Sequence, residues 1–143
     1  SDCRVAVVVS LFNRAITARL QDACLHYLLE HGVLTDNITL VEVPGAVELP
    51  VVAQALLAKP NIDVVIVLGA VIRGDTDHYD YVCQQVSYGC QKLALESGRP
   101  VIFGVLTTDN EEQALARVGG QHGHKGVDAA EAALMMFDIM KQI

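Results

Sequence analysis

Apolar residues fall in four short runs along this chain, and between the runs they recur every third or fourth position. Val5 to Val9, Asp63 to Ile72 and Val101 to Leu106 are almost unbroken, and Ile38 to Val43 is a further run that Pro44-Gly45 ends. A strand apolar on both faces is the mark of a parallel sheet covered by helices on each side. After the first run, Ile16, Leu20, Ala23, Cys24, Tyr27 and Leu28 recur at helical spacing, with Gly32 as the stop after His31. Glu48 to Ala58 reads as a second helix, with Pro50 at its third position, where the first-turn N–H groups have no helical partner anyway. A third helix runs from about His78 to Glu96, with Val82, Val86, Gly89 and Leu93 as its buried stripe, until Gly98 and Pro100 stop it. Glu111 to Val118 reads as a short helix, Gly119 to Gly126 as a flexible glycine-rich link, and a final helix carries Val127, Ala130, Ala133, Leu134 and Phe137 inward.

Strands and helices that alternate in this way predict an α/β fold, a flavodoxin-like three-layer sandwich with a four-stranded parallel sheet and helices on both faces. The length of 143 residues and a hydrophobic content of 52% suit one domain spanning residues 1–143. In such folds ligands lie outside the carboxyl ends of the strands. That rule collects Leu11-Phe12-Asn13, the Pro44 to Glu48 turn, the Arg73 to His78 turn and Thr107-Thr108 at one edge.

Charge narrows the partners. Ten basic against seventeen acidic residues give a net charge of −7 with no Lys/Arg cluster, which argues against nucleic acid and against an acidic membrane surface. No stretch is long enough for a membrane helix, and the start lacks the regions of a signal peptide, so a soluble, cytoplasmic protein is expected. The missing initiator Met leaves a removed plastid-targeting peptide open. Cys3, Cys24, Cys83 and Cys90 form no CxxC pair and each falls among apolar neighbours in a predicted strand or helix, as reduced core thiols do.

The segment GAVIRGDTDH, Gly69 to His78, carries the densest candidate chemistry. His78 opens a helix at the mouth of a buried strand, flanked by Asp75, Asp77 and Asp80, a position suited to proton transfer near neutral pH. Asp75, Thr76 or Asp77 can cap that helix, or the free N–H groups can hold a phosphate, with Arg73, Arg117 and Lys125 as the available cations. The same run can be read as a hard-cation site, as can His122 with His124, though Asp75 and Asp77 need not point the same way. Glu48 suits either the helix dipole or the hydroxyls of a polyol. Phe12 is badly placed for a core and well placed to stack on a flat ring.

Phe12-Asn13, VPGAVELP (Val43 to Pro50), GAVIRGDTDHYDYV (Gly69 to Val82) and FGVLTTDNEEQALARVGG (Phe103 to Gly120) together resemble the lumazine synthase family, in order and over nearly the whole chain. The resemblance implies condensation of 5-amino-6-(D-ribitylamino)uracil with 3,4-dihydroxy-2-butanone 4-phosphate to 6,7-dimethyl-8-ribityllumazine, the penultimate step of riboflavin biosynthesis, with no metal or organic cofactor. It assigns stacking to Phe12, ring and ribityl binding to Ala46, Val47 and Glu48, and the uracil edge to the backbone of Ala70, Val71 and Ile72. Asp75 and Thr76 would hold the phosphate through their backbone, with Arg117 as cation and Lys125 close by. His78 would move the protons. Phe103 would come from a neighbouring subunit, because sites of this family form between chains of a homo-pentamer.

The resemblance also implies a possible association with riboflavin synthase. The Gly119 to Gly126 link lacks an insertion seen in members that stop at pentamers, which leans toward a 60-subunit shell; the short start leans the other way. Asp75 stands where a small residue is common and Gln121 where lysine is common. Three rival readings stand beside this one: a silent flavin-binding shell protein, an enzyme that dismutates lumazine, and a metal-dependent phosphohydrolase using Asp75, Asp77 and His78.

Overall fold

The computed structural model describes every residue from Ser1 to Ile143. Its four parallel strands are β1 (Val5–Ser10), β2 (Ile38–Val43), β3 (Val64–Ile72) and β4 (Val101–Thr108), in the order β2-β1-β3-β4. The helices are α1 (Arg14–Glu30), α2 (Leu49–Leu57), α3 (His78–Ser97), α4 (Glu111–Leu115) and α5 (Lys125–Gln142). This is the flavodoxin-like sandwich the apolar runs predict. None of the helices is long and apolar enough to cross a membrane.

The order explains which runs are unbroken. β1 and β3 are central, with Val5 paired to both Ile38 and Val64, so both of their faces must be covered. Side chains alternate between the faces. Val5, Val7, Val9, Val64, Ile66 and Leu68 join a core with Leu20, Ala130 and Phe137 of α1 and α5. Ala6, Val8, Val65 and Val67 join a second core with Ala53 of α2 and Val86 and Cys90 of α3. β4 is an edge strand despite its apolar run, and Val101, Ile102 and Phe103 are only half-buried.

Several local expectations change. Pro50 is the second residue of α2, because a 3-10 turn over Ala46–Glu48 takes up the preceding residues. The buried residues of α3 are Val86 and Cys90, while Val82 and Leu93 are half-covered and Gly89 lies against Pro50 of α2. Cys3 precedes β1 instead of lying in it, and Cys83 is half-buried; all four thiols are unpaired.

The glycine-rich link is ordered. α4 ends early at Leu115, and Val118–Gly120 (β5) pairs antiparallel with Gly123–His124 (β6). Gly119 at φ +98° and Gly123 at φ +79° hold left-handed backbone that favours glycine. A pattern read as flexibility is therefore turn chemistry. His124 then caps α5, its Nδ1 accepting from the Gly126 N–H at 3.1 Å.

β1 is followed in sequence by β2 on one side and flanked by β3 on the other, so the strand order reverses at the β1/β3 pair. A crevice opens where the two connections leave in opposite directions.

Candidate active site

A cleft of about 400 Å³ lies at that reversal. Its walls include Phe12, Asn13, Ala46, Val47, Ala70, Val71, Ile72, Thr76, His78 and Tyr79. Eight residues singled out in the sequence thus share one cavity, drawn from the ends of β1, β2 and β3 and from the start of α3.

Phe12 is 70% exposed, a large cost in apolar surface for a chain with three Phe. Its neighbour Asn13, placed at this edge by the sequence but assigned no role there, organises this wall. Asn13 takes left-handed backbone (φ 60°, ψ 48°), which asparagine tolerates better than most residues. It starts α1 without capping it, because its side chain turns to the sheet and donates Nδ2–H to the Ala70 carbonyl at 2.9 Å. The residue type, placed between a buried strand and a helix, was the available signal.

The opposite wall is backbone. β3 runs beyond the end of its pairing with β1, which stops at Val9 and Leu68. Arg73 N–H donates to Thr108 O at 2.8 Å, so alternate residues 71 and 73 face β4, and Ala70 and Ile72 present their peptide groups to the other side. That side is the cleft, where a planar ring can read them as donors and acceptors.

Glu48 and Asp75 are beside this cleft without lining it. Glu48 Oε1 accepts from Gly45 N–H at 2.9 Å and holds the 3-10 turn that presents Ala46 and Val47. At the start of α3, Asp77 makes no side-chain cap; Thr76 Oγ1 accepts from His78 N–H at 3.3 Å. His78 is exposed to the cleft. Asp75, Asp77 and His78 do not converge into a metal-binding group, and neither do His122 and His124 with any third ligand.

The cleft contains no Lys or Arg, and the three expected cations all lie elsewhere. Arg73 is engaged by Asp109 and Asp80. Arg117 and Lys125 line a second pocket of about 310 Å³ with Thr107, Thr108, His122 and Asp128. The two cavities share no residue. The expectation that Arg117 completes the Asp75-Thr76 turn is therefore not met within one chain. In the second pocket the backbone is braced: Lys125 N–H donates to Arg117 O at 2.8 Å, and Arg117 Nη1 to Gln113 O at 2.7 Å. Phe103 lines neither cavity and sits half-buried beside the α2/α3 core.

Known proteins resemble this chain over its whole length. The family model described as 6,7-dimethyl-8-ribityllumazine synthase matches residues 2–141. Two proteins of that name, from Coxiella burnetii strains CbuG_Q212 and RSA 493 / Nine Mile phase I, are each 54% identical over all 143 residues, covering 95% of their own length. A third, from strain Dugway 5J108-111, is 53% identical over the same span.

Proposed function

We propose roles for the two cavities from one premise: the chain belongs to the 6,7-dimethyl-8-ribityllumazine synthase family. It condenses 5-amino-6-(D-ribitylamino)uracil with 3,4-dihydroxy-2-butanone 4-phosphate to the lumazine, releasing phosphate and water, a step of riboflavin biosynthesis. The pyrimidine stacks on Phe12 and reads the peptide groups of Ala70 and Ile72, with Val71 behind them. Ala46 and Val47 close over the ring, and the free oxygen of Glu48 takes a ribityl hydroxyl. Backbone N–H groups of Asp75 and Thr76, at the positive end of the α3 dipole, hold the phosphate.

Imine formation makes a C=N bond and loses water, elimination breaks the C–O bond to phosphate, and ring closure makes a second C–N bond and loses water; each step needs protons moved between reactants already in contact. Proximity supplies much of the rate. His78 accepts and returns protons at its imidazole nitrogen, acting as base and acid in turn.

The observation that carries this reading is the separation of the cations from the cleft. A leaving phosphate needs positive charge, and Arg117 and Lys125 face a cavity that shares no residue with it. We therefore assign them, with Phe103, to the cleft of an adjacent copy in a cyclic homo-oligomer, a pentamer. Tyr81, Tyr88 and Leu95 support such an assembly: all three are exposed on α3 at seven-residue spacing, the period of a seam between helices. The four unpaired cysteines support a reducing compartment, the cytoplasm.

The test mixes two variants impaired in different groups, assayed at a limiting pyrimidine concentration. Phe12→Ala and Arg117→Ala chains are refolded separately and together, and lumazine fluorescence is followed with both substrates. Shared sites return about a quarter of wild-type activity in the random mixture, since half the clefts and half the cations are intact. No recovery in mixed assemblies overturns the sharing, and no product from folded wild-type chain overturns the function.

A further inference from the structure

Arg73 leaves β3 at the point where the chain turns from the uracil-reading backbone to His78, and its guanidinium touches three side chains on two separate elements. Nε donates to Asp109 Oδ1 at 3.0 Å, in the turn between β4 and α4. Nη2 lies 3.5 Å from Asp80 Oδ1 in the first turn of α3. The guanidinium carbon sits 4.3 Å above the ring of Tyr79, which lines the cleft. Asp109 is itself fixed, its N–H donating to Gln113 Oε1 at 2.8 Å.

The segment that follows has few other restraints. Gly74 to Asp77 is exposed, a Cβ on Gly74 would meet nothing within 4 Å, and the side-chain bond from Thr76 to His78 N–H is internal to the turn. The turn is thus held chiefly at its ends, by Arg73 and by the start of α3, and the arginine joins the two. We propose that Arg73 is a positioning residue that acts through the first turn of α3, holding His78 and the Asp75-Thr76 amides at fixed distance from Ala70 and Ile72.

Geometry favours this role over that of a phosphate-binding cation. The planar fork reaches Asp109 and Asp80 from different nitrogens while its face covers Tyr79, an arrangement an ammonium group cannot reproduce. Arg73, Asp80 and Asp109 are all about half-exposed, so solvent screens these pairs and their contribution to global stability is small. A small displacement of a reacting group, by contrast, costs a great deal in rate. The bridge therefore acts on turnover.

This inference rests on the reading of the cleft as a lumazine-forming site. Its test compares Arg73→Gln, Arg73→Lys, Asp109→Asn and the double variant Arg73→Gln/Asp109→Asn, after unfolding midpoints and assembly size have been matched to wild type. A roughly tenfold or larger fall in kcat is expected for both Arg73 variants, with KM for both substrates within about twofold of wild type. Lysine is expected not to rescue, and the double variant to lose no more than the Arg73 single variants. A rise in KM for the phosphorylated substrate alone, with rescue by lysine, would assign Arg73 to the phosphate and overturn the proposal. Wild-type kcat in both Arg73 variants would overturn it as well. Absence of lumazine from wild-type chain is a separate outcome, which sinks the functional reading itself.

Discussion

Replacing Gly126 by alanine sets two effects against each other, and the structure decides between them. Gly126 is the second residue of α5, in ordinary right-handed backbone, where alanine is intrinsically the better helix former by up to ~1 kcal/mol and by less in a first turn. A Cβ there would lie 2.5 Å from the Leu20 carbonyl oxygen and 3.1 Å from Leu20 C and Cα. All three atoms are α1 backbone, so no side chain can swing aside. Relief requires α5 to retreat by roughly an ångström, which loosens Ala129, Ala130 and Ala133 from the core they share with Leu20 and Cys24. Overpacking of this kind costs ~1–3 kcal/mol, and the gap left behind adds to it, so the net loss is about 2 kcal/mol.

Urea unfolding followed by far-UV circular dichroism at one protein concentration reads that loss as a midpoint lowered by about 1 M. Lys125 is adjacent and tied to Arg117, so KM for the phosphorylated substrate rises in the same variant. Gly74→Ala is the control: no atom lies within 4 Å of the added methyl and no left-handed φ is required there, so stability stays within ~0.5 kcal/mol. A Gly126→Ala midpoint at or above wild type would show that helix propensity, and not the α1/α5 contact, governs this position.

Phe12→Ala removes a stacking surface the fold does not use, since the ring is 70% exposed. Stacking worth ~1–3 kcal/mol translates to roughly 5- to 150-fold weaker binding of the pyrimidine by titration calorimetry, with an unchanged unfolding midpoint; unchanged binding would remove Phe12 from the site. Burial holds the His124 imidazole below its usual range, only partly opposed by Asp128, so the folded state favours the neutral ring that accepts from Gly126. Its stabilisation is therefore complete above the ordinary value of 6.5 and is lost as pH falls from there through the folded value. His124→Asn keeps an acceptor without that titration, and its thermal midpoint should fall less than wild type's on acidification from about pH 7 to about pH 5. Identical slopes would place the acid sensitivity elsewhere.

The periodicity of the chain carried the architecture, because burial on both faces calls for nearly unbroken apolar residues in β1 and β3. That Phe12, His78 and Ala70 to Ile72 share one cleft was legible for a related reason: in a parallel sheet the carboxyl ends of the strands must meet at one edge. Side-chain commitments were not legible. Arg73 reads as a spare cation in the sequence and is held by Asp109 and Asp80; Asn13 has no role assigned from the sequence and binds the Ala70 carbonyl. The glycine link became a hairpin because two left-handed backbones close it.

The sequence alone therefore determined which segments are buried and which end of the sheet gathers the chemistry, since both follow from local pattern and strand direction. The tertiary structure decided which groups share a cavity. Arg117 belongs to the same motif set as His78, yet with Lys125 it lines a separate pocket beside Thr107 and Thr108 of β4, because distance in space depends on packing that no local period encodes.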